Sequence, residues 1–267
     1  MLYRLIDWLN ELGPRFYTAF LEADRWTLYL QGLGRTLEMT LVALVMGVIL
    51  GVVVAVIRAA HDQQRAGRRK NPLLAILNFI CKIYTTVIRG TPMMVQLLIW
   101  TFVIFPSIRD KILVGIIGLG INSGAYVAEI VRGGLMSVDG GQMEAGRSLG
   151  LGYLDTMRFI VVPQAFKNIL PSLGNELITL FKDTSLVQAI GGMELVYYAS
   201  TIGGRTFDYM PPYIGIAVMY LCIVVVLTWL QGKLERRLRQ SDRREKLIQV
   251  LWQPPGAGQF EPAYLSR

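Results

Sequence analysis

The chain has 267 residues, of which 53% are hydrophobic and only 17% are charged, whereas an average soluble domain carries about 25% charged residues. Its mean hydropathy is +0.43, and the Lys and Arg residues behind its net charge of +8 lie beside apolar segments. This pattern indicates an integral membrane protein and argues against nucleic-acid binding. A single histidine (His61) and two cysteines inside apolar runs (Cys81 and Cys222) exclude most metal and catalytic sites. We therefore predict no metal site and no catalytic residue.

Residues 1–27 precede the first long apolar segment. Leu2, Leu5 and Ile6 recur at helical spacing with Trp8 among them, but the segment has no continuous apolar core. Such a composition is typical of a helix that lies in the membrane interface. We predict an extracytoplasmic interfacial segment here, not a cleaved signal peptide.

Five apolar segments follow, and about 20 mostly apolar residues suffice to cross a membrane. The second is irregular: residues 92–105 are too few alone, so we expect them to continue a helix from 73–88 that bends near Pro92. The five predicted spans are residues 39–57, 73–105, 112–131, 173–198 and 211–230. An odd number of spans places the two termini on opposite sides of the membrane.

The distribution of Lys and Arg predicts the orientation. Residues 58–70 hold five of them and residues 233–246 hold seven, whereas the connectors near 106–111 and 203–212 hold few. Because positive residues favour the cytoplasmic side, we predict a multi-pass protein of the cytoplasmic (inner) membrane, with its N-terminus outside and its C-terminus in the cytoplasm. The predicted domains are a five-span unit (28–232) with a cytoplasmic loop (133–170) and a basic cytoplasmic tail (233–267).

A polar stretch, EAGRSLGLGYLDTMRFIVVPQAF at residues 144–166, lies in the longest predicted cytoplasmic loop; we refer to it as the motif segment. Gly150 and Gly152 predict a turn between two short helices, the second running over 153–162 and ended by Pro163. Helices this short cannot bury their own apolar faces, so they must rest on the spans or on another protein.

The motif segment resembles the cytoplasmic loop of binding-protein-dependent ABC importer permeases, whose pattern is Glu-Ala-Ala, three residues, Gly, nine residues, Ile-x-Leu-Pro. Gly146 replaces the third Ala of that pattern and Val162 replaces its Leu. The phrases RGTPMMVQL (89–97), GAYVAEIVRGGL (124–135) and LPSLGNELITLFKDTSL (170–186) are similar to the polar amino acid branch of these permeases. The matching motif residues, which the resemblance assigns to ATPase coupling, are Glu144, Ala145, Gly146, Gly150, Ile160 and Pro163.

The resemblance implies an all-α, type I ABC importer permease fold with five transmembrane helices. It also implies a second permease subunit, identical or homologous, a cytoplasmic ABC ATPase dimer and an extracytoplasmic amino-acid-binding protein. The chain contains no GxxxxGK[ST] phosphate-binding loop. We therefore expect it to be a transport subunit and not an enzyme, with no cofactor of its own and with ATP and Mg bound by the ATPase.

Ionisable residues inside a span usually face a protein interior or a water-filled path. On a helical wheel, Glu176, Asp183 and Glu194 of the fourth predicted span fall within about 40° of one another. We predict that this acidic stripe lines the substrate path and that Asp183 binds a substrate ammonium group, assisted by Thr184, Ser185 and Gln96. A purely architectural Lys182–Asp183 arrangement, or pairing across a subunit interface, is the alternative.

The sequence also allows two other functions to be weighed. A secondary transporter coupled to ions through Asp183 and Glu129 is the main rival, although neither an inverted repeat nor additional spans are evident. A membrane-embedded enzyme would need a convergent catalytic set, which the sequence lacks.

Two packing expectations concern the third predicted span. Glu129 and Arg132 are expected to pair with each other or to brace the loop. Gly120 and Gly124 form a small-xxx-small pattern, which suggests a dimer seam.

Overall fold

The computed structural model describes the backbone of residues 2–64 and 71–251 and the side chains of residues 10–62 and 71–238. Within these residues the chain is all-helical and has no strand, so the predicted all-α class is confirmed. The side chains of Leu2, Leu5, Ile6 and Trp8, and the tail from residue 252, lie outside the described part. The helices are α1 (Leu2–Phe20), α2 (Trp26–Gln64), α3 (Pro72–Gly90), α4 (Met93–Ile99), α5 (Lys111–Met136), α6 (Gly140–Ser148), α7 (Tyr153–Thr156), α8 (Val162–Asp183), α9 (Leu195–Thr206) and α10 (Met210–Leu251).

Among the described residues, four helical segments are long and apolar enough to cross a membrane. They are Glu22–Asp62, Pro72–Gly90, Lys111–Met136 and Met210–Leu238, with a shorter apolar segment at Met93–Ile104. The first, third and last contain predicted spans one, three and five, and the Pro72–Gly90 and Met93–Ile104 segments together cover span two. The protein therefore has several apolar helices, while the count of five spans stays a prediction.

The fourth predicted span, residues 173–198, is not one continuous helix, and that prediction is wrong. Helix α8 ends at Asp183, a 3₁₀ segment follows over Thr184–Ile190, and α9 starts only at Leu195. The Thr184 hydroxyl donates to the Phe181 carbonyl (2.6 Å), and Gly191 adopts a left-handed conformation with φ of 85°. These two features close the helix, because a local hydroxyl bond competes with the helical ladder and glycine accepts positive φ.

The second predicted span is interrupted rather than bent. Thr91 and Pro92 both adopt extended backbone conformations between α3 and α4. The residue before a proline is driven toward extended conformations, which explains why α3 stops here. Residues Trp100–Ile104 then continue α4 as a π-helical turn.

Helix α5 is the centre of the bundle and lies closest to α2. A Cβ atom added at Gly47 or Gly51 of α2 would come within 2.7 Å of Ser123 or 2.6 Å of Val127 on α5. Likewise, a Cβ at Gly120 would collide with the side chain of Met46, and one at Gly124 would lie 2.9 Å from Leu50. The small residues of α5 therefore pack against α2 of the same chain, which corrects the expectation that Gly120 and Gly124 form a dimer seam.

The close approach of α2 and α5 predicts that Gly51→Ala destabilises the protein. The new Cβ would lie 2.6 Å from the Val127 Cβ and 2.9 Å from the backbone nitrogen of Ala128, and overpacking of this kind costs about 1–3 kcal/mol. Thermal unfolding in detergent should show a lowered melting temperature. Gly34→Ala is the matched control, because nothing lies within 4 Å of its added Cβ and alanine favours a helix. Equal melting temperatures for the two variants would contradict this account of the interface.

The N-terminal helix α1 is tied to the connector between α9 and α10. Arg15 donates two hydrogen bonds to the Asp208 carboxylate, at 2.6 and 2.8 Å, and these bonds hold the pKa of Asp208 below its ordinary value of 3.8. The predicted helix in residues 1–27 is confirmed, whereas its extracytoplasmic location stays a prediction. At the other end, α10 continues to Leu251, so the predicted tail 233–267 begins within that helix.

Candidate coupling and translocation site

As predicted, a turn at Gly150 separates two helical parts of the motif segment: α6 before it, and α7, which leads into α8, after it. Asp139 caps the first helix, α6, by accepting a hydrogen bond from the Gly141 backbone nitrogen at 2.6 Å, and the turn at Gly150 has a positive φ of 82°. Glycine adopts this left-handed conformation without the steric penalty that a Cβ imposes. Gly150 is therefore required for backbone geometry.

Gly146 is where the two short helices touch. It is buried, and a Cβ added there would lie 2.5 Å from the Thr156 Cγ2 and 2.7 Å from its Oγ1. The glycine found in place of the pattern's alanine thus lets α6 approach α7 closely. The Gln164 side chain also donates to Gln142 at 3.2 Å, which fastens α6 to α8.

Pro163 does not end the second helix, so that prediction is wrong. After α7 the chain makes a π-helical turn over Met157–Val161, and Pro163 lies in the first turn of the 22-residue α8. Proline is tolerated in a first turn because its missing N–H has no helical partner there. The wide turn before it, closed by the Val162 nitrogen donating to the Met157 carbonyl, joins α7 to α8 without a break.

One surface of the motif segment carries exposed apolar side chains. Leu149 and Leu154 are each 78% exposed, and Glu144 and Ala145 are exposed on α6. Gly150 and Pro163 are exposed as well, while Ile160 is partly buried. Exposed apolar side chains rimmed by polar residues are typical of a protein interaction surface.

Two carboxylates, Glu176 and Asp183, lie on α8, seven residues and therefore about 10.5 Å apart along the helix axis. Glu176 accepts a hydrogen bond from the Ser123 hydroxyl of α5 at 2.8 Å. Within the described part of the chain, neither carboxylate has a Lys or Arg nitrogen within 4.0 Å. A Lys182–Asp183 ion pair at this distance is therefore absent from this part, although Lys182 directly precedes Asp183 on the same helix.

The uncharged residues predicted beside Asp183 use their polar atoms within the chain. Gln96 donates to the Ile88 and Thr91 carbonyls at 2.7 and 3.0 Å, and its own carbonyl accepts from Asn122 at 3.1 Å. Gln96 thus braces the interruption between α3 and α4 and ties it to α5. The Thr184 hydroxyl is buried, and the Ser185 hydroxyl donates to the Lys182 carbonyl at 2.7 Å. Contact of these residues with substrate stays a prediction.

Glu194 does not continue the acidic stripe, because α8 ends eleven residues before it. Its side chain is fully buried and caps α9 by accepting bonds from the Val196 and Tyr197 nitrogens at 2.9 Å each. The Tyr220 hydroxyl also donates to it at 3.3 Å. These contacts give Glu194 a structural role at the start of α9.

Glu129 belongs to a network of charges that links α2 to α5. It pairs with Arg58 and lies 3.8 Å from Arg132, which also contacts Asp62 at 3.3 Å. The expected Glu129–Arg132 pair is therefore present. A carboxylate paired with two guanidinium groups is poorly suited to bind a coupling ion, which weighs against the rival function.

Sequence reasoning missed Asp139, Thr156 and Ser123, which position the candidate site. The Asp139 cap has a sequence signal, since an Asp immediately before a helix is a favoured N-cap. Thr156 and Ser123 have no such signal in the sequence. Thr156 matters because α7 packs against Gly146 of α6, and Ser123 matters because α5 places its hydroxyl beside Glu176 of α8.

An all-helical bundle in which several helices are long and apolar enough to cross a membrane is the architecture of a multi-pass membrane protein. Residues 71–240 match the family described as "Binding-protein-dependent transport system inner membrane component". The arginine transport system permease protein ArtQ of Bacillus subtilis is 36% identical over 80% of this chain and 93% of its own length. The glutamine transport system permease protein GlnP of Escherichia coli is 39% identical over 61% of this chain and 77% of its own.

A solved structure also matches the fold. The crystal structure of an amino acid ABC transporter with histidines superposes with a TM-score of 0.72 at 37% identity, covering 82% of this chain and 98% of that one. The methionine ABC transporter MetNI, at 20% identity and a TM-score of 0.67, shows the fold alone. The chain belongs to the family of binding-protein-dependent ABC importer permeases, within the amino acid transport branch.

Proposed function

We propose that this permease moves a polar amino acid with a positively charged group into the cytoplasm, driven by a separate ATPase that docks on the motif segment. The observation that carries this proposal is the presence of two carboxylates on α8, Glu176 and Asp183, neither of which forms an ion pair among the described residues. Ionisable groups in such a position are expensive unless they serve a path or a ligand. A substrate ammonium or guanidinium group would supply the missing charge.

Coupling to ATP is the second part of the proposal. The exposed Leu149 and Leu154 present apolar surface, and Glu144 adds a negative charge that suits a basic residue on the ATPase. Rigid packing of α6 on α7 through Gly146, and continuity of α7 with α8, would carry a displacement of the docked ATPase directly to the helix that bears Asp183.

The remaining assignments rest on the same reasoning. A second permease subunit, identical or homologous, would complete the path, and an extracytoplasmic binding protein would deliver the amino acid. In the proposed orientation the motif segment faces the cytoplasm and the α9–α10 connector faces outward, as the distribution of Lys and Arg favours. The acidic residues favour a positively charged group but do not separate basic from neutral amino acids.

The test is to tag the chain, extract it from its native membrane in mild detergent and identify the copurifying proteins by mass spectrometry. The purified assembly is then reconstituted in vesicles with labelled arginine or glutamine, with and without ATP. A copurifying P-loop ATPase and ATP-dependent uptake are expected. Uptake by the chain alone, driven by an ion gradient without ATP, would instead establish the secondary transporter.

A further inference from the structure

A second polar site lies between α2, α3 and α5, away from the α8 carboxylates. This basic groove has a volume of about 360 Å³, and its lining includes Arg58, Lys82, Thr86, Arg89, Tyr126 and Glu129. Three cations and one carboxylate give it a net positive charge. It lies at the level of the Arg58 and Glu129 pair, toward the end of α5 that leads into the motif segment.

Two of the three cations are not neutralised within the described chain. Arg58 pairs with Glu129, whereas Lys82 and Arg89 are exposed and have no carboxylate within 4.0 Å among the described residues. The Arg89 guanidinium lies 5.3 Å from the centre of the Tyr126 ring, a contact that holds the side chain over the groove and leaves its N–H donors free for an anion.

Helix α3 arranges its polar and apolar residues in a way that suits a lipid. Lys82, Thr86 and Arg89 recur at helical spacing and line the groove, while Phe79, Ile83 and Val87 beside them are large, exposed hydrophobic residues. Most of the apolar surface of α3 is not covered by the rest of the described chain. A ligand that fills this site must therefore offer an anionic group to the cations and hydrocarbon to the surface alongside.

We propose that the basic groove binds the headgroup phosphate of an anionic phospholipid, whose acyl chains lie along the apolar side of α3. Basic pockets between membrane helices on the cytoplasmic side bind such headgroups, and each Lys or Arg near the surface adds to the attraction. This inference does not depend on the identity of the transported amino acid.

The experiment titrates phosphatidylglycerol into the purified full-length protein in mild detergent and counts bound lipids by native mass spectrometry, with phosphatidylcholine as the neutral comparison. The double variant Lys82→Gln/Arg89→Gln should bind phosphatidylglycerol at least about tenfold more weakly, because two attractive charges are lost. Its matched control is Lys233→Gln/Arg236→Gln, which removes the same charge from exposed positions on α10 and should bind lipid as the parent does.

Each outcome decides for or against the proposal. Selective loss of phosphatidylglycerol in the groove variant, with an unchanged melting temperature, supports it. An equal loss of phosphatidylglycerol binding in both double variants would show nonspecific charge attraction and would overturn the proposal. Unchanged phosphatidylglycerol binding in both variants would overturn it as well. Displacement of phosphatidylglycerol by millimolar inorganic phosphate would show that a free anion fills the groove instead. If the groove variant bound labelled amino acid more weakly but kept its lipid, the groove would belong to the substrate path.

Discussion

Replacing Asp183 by asparagine is expected to lower uptake of labelled arginine into proteoliposomes by about ten- to a hundredfold. The substitution keeps the size of the side chain but removes the charge that would bind the guanidinium, and a hydrogen bond to a charged group contributes about 1.5–3 kcal/mol. Asp183 makes no ion pair in the described chain, so the melting temperature should stay near that of the parent. The measurement is initial uptake rate against arginine concentration, with ATP inside the vesicles.

The control for this variant is Asp110→Asn, the same change at the exposed cap of α5. Asp110 accepts hydrogen bonds from the Ile112 and Leu113 nitrogens at 2.9 and 3.3 Å, and asparagine caps a helix about as well as aspartate. Uptake by this variant should match the parent. Unchanged uptake kinetics in the Asp183 variant, or a loss of uptake that follows a fall in its melting temperature, would make Asp183 architectural.

Replacing Leu154 by aspartate is expected to abolish most copurification of the ATPase and with it ATP-driven uptake. The leucine is 78% exposed on α7, and full burial of such a side chain against a partner contributes about 1.5–3 kcal/mol. An aspartate would lose that burial and bring a charge into the contact. The ATPase-to-permease ratio after affinity purification should fall by at least about tenfold. Glu144→Lys should act in the same direction by reversing a charge in the proposed contact.

Phe207→Asp is the control for the loss of an exposed apolar side chain. Phe207 is 92% exposed and lies at the α9–α10 connector with a φ of 53°, a conformation that aspartate adopts more readily than a bulky residue. This variant should retain the ATPase. If the Leu154 and Glu144 variants retained it too, with normal uptake, the motif segment would not be the coupling surface.

Several features of this protein follow from local sequence alone. The low charge content and long apolar segments identify a membrane protein, because the hydrocarbon core excludes polar side chains over a fixed thickness. The turn at Gly150 and the helical starts on either side of it follow from local backbone preferences, which depend on neighbours in sequence. The linked motifs at 89–97, 124–135, 144–166 and 170–186 also predicted the family that the comparisons confirm.

Other features depend on which helices meet, and no single segment contains that information. Residues 173–198 are apolar enough for a span, yet local bonds at Thr184 and the left-handed Gly191 end α8 and leave Glu194 as a buried cap. Pro163 was expected to end a helix but begins one, because a π-helical turn precedes it.

The α2–α5 interface likewise combines a feature that the sequence predicts with one that only the fold reveals. The spacing of Gly120 and Gly124 predicts close helix packing, but only the fold shows that Met46 and Leu50 of the same chain occupy the space beside these glycines. Composition and local pattern thus determined the membrane class, the turns and the family. The tertiary structure decided which polar residues stabilise the bundle and which, like Asp183, form no ion pair with another described residue. The physical reason is that burial and partners are set by contacts between residues distant in sequence.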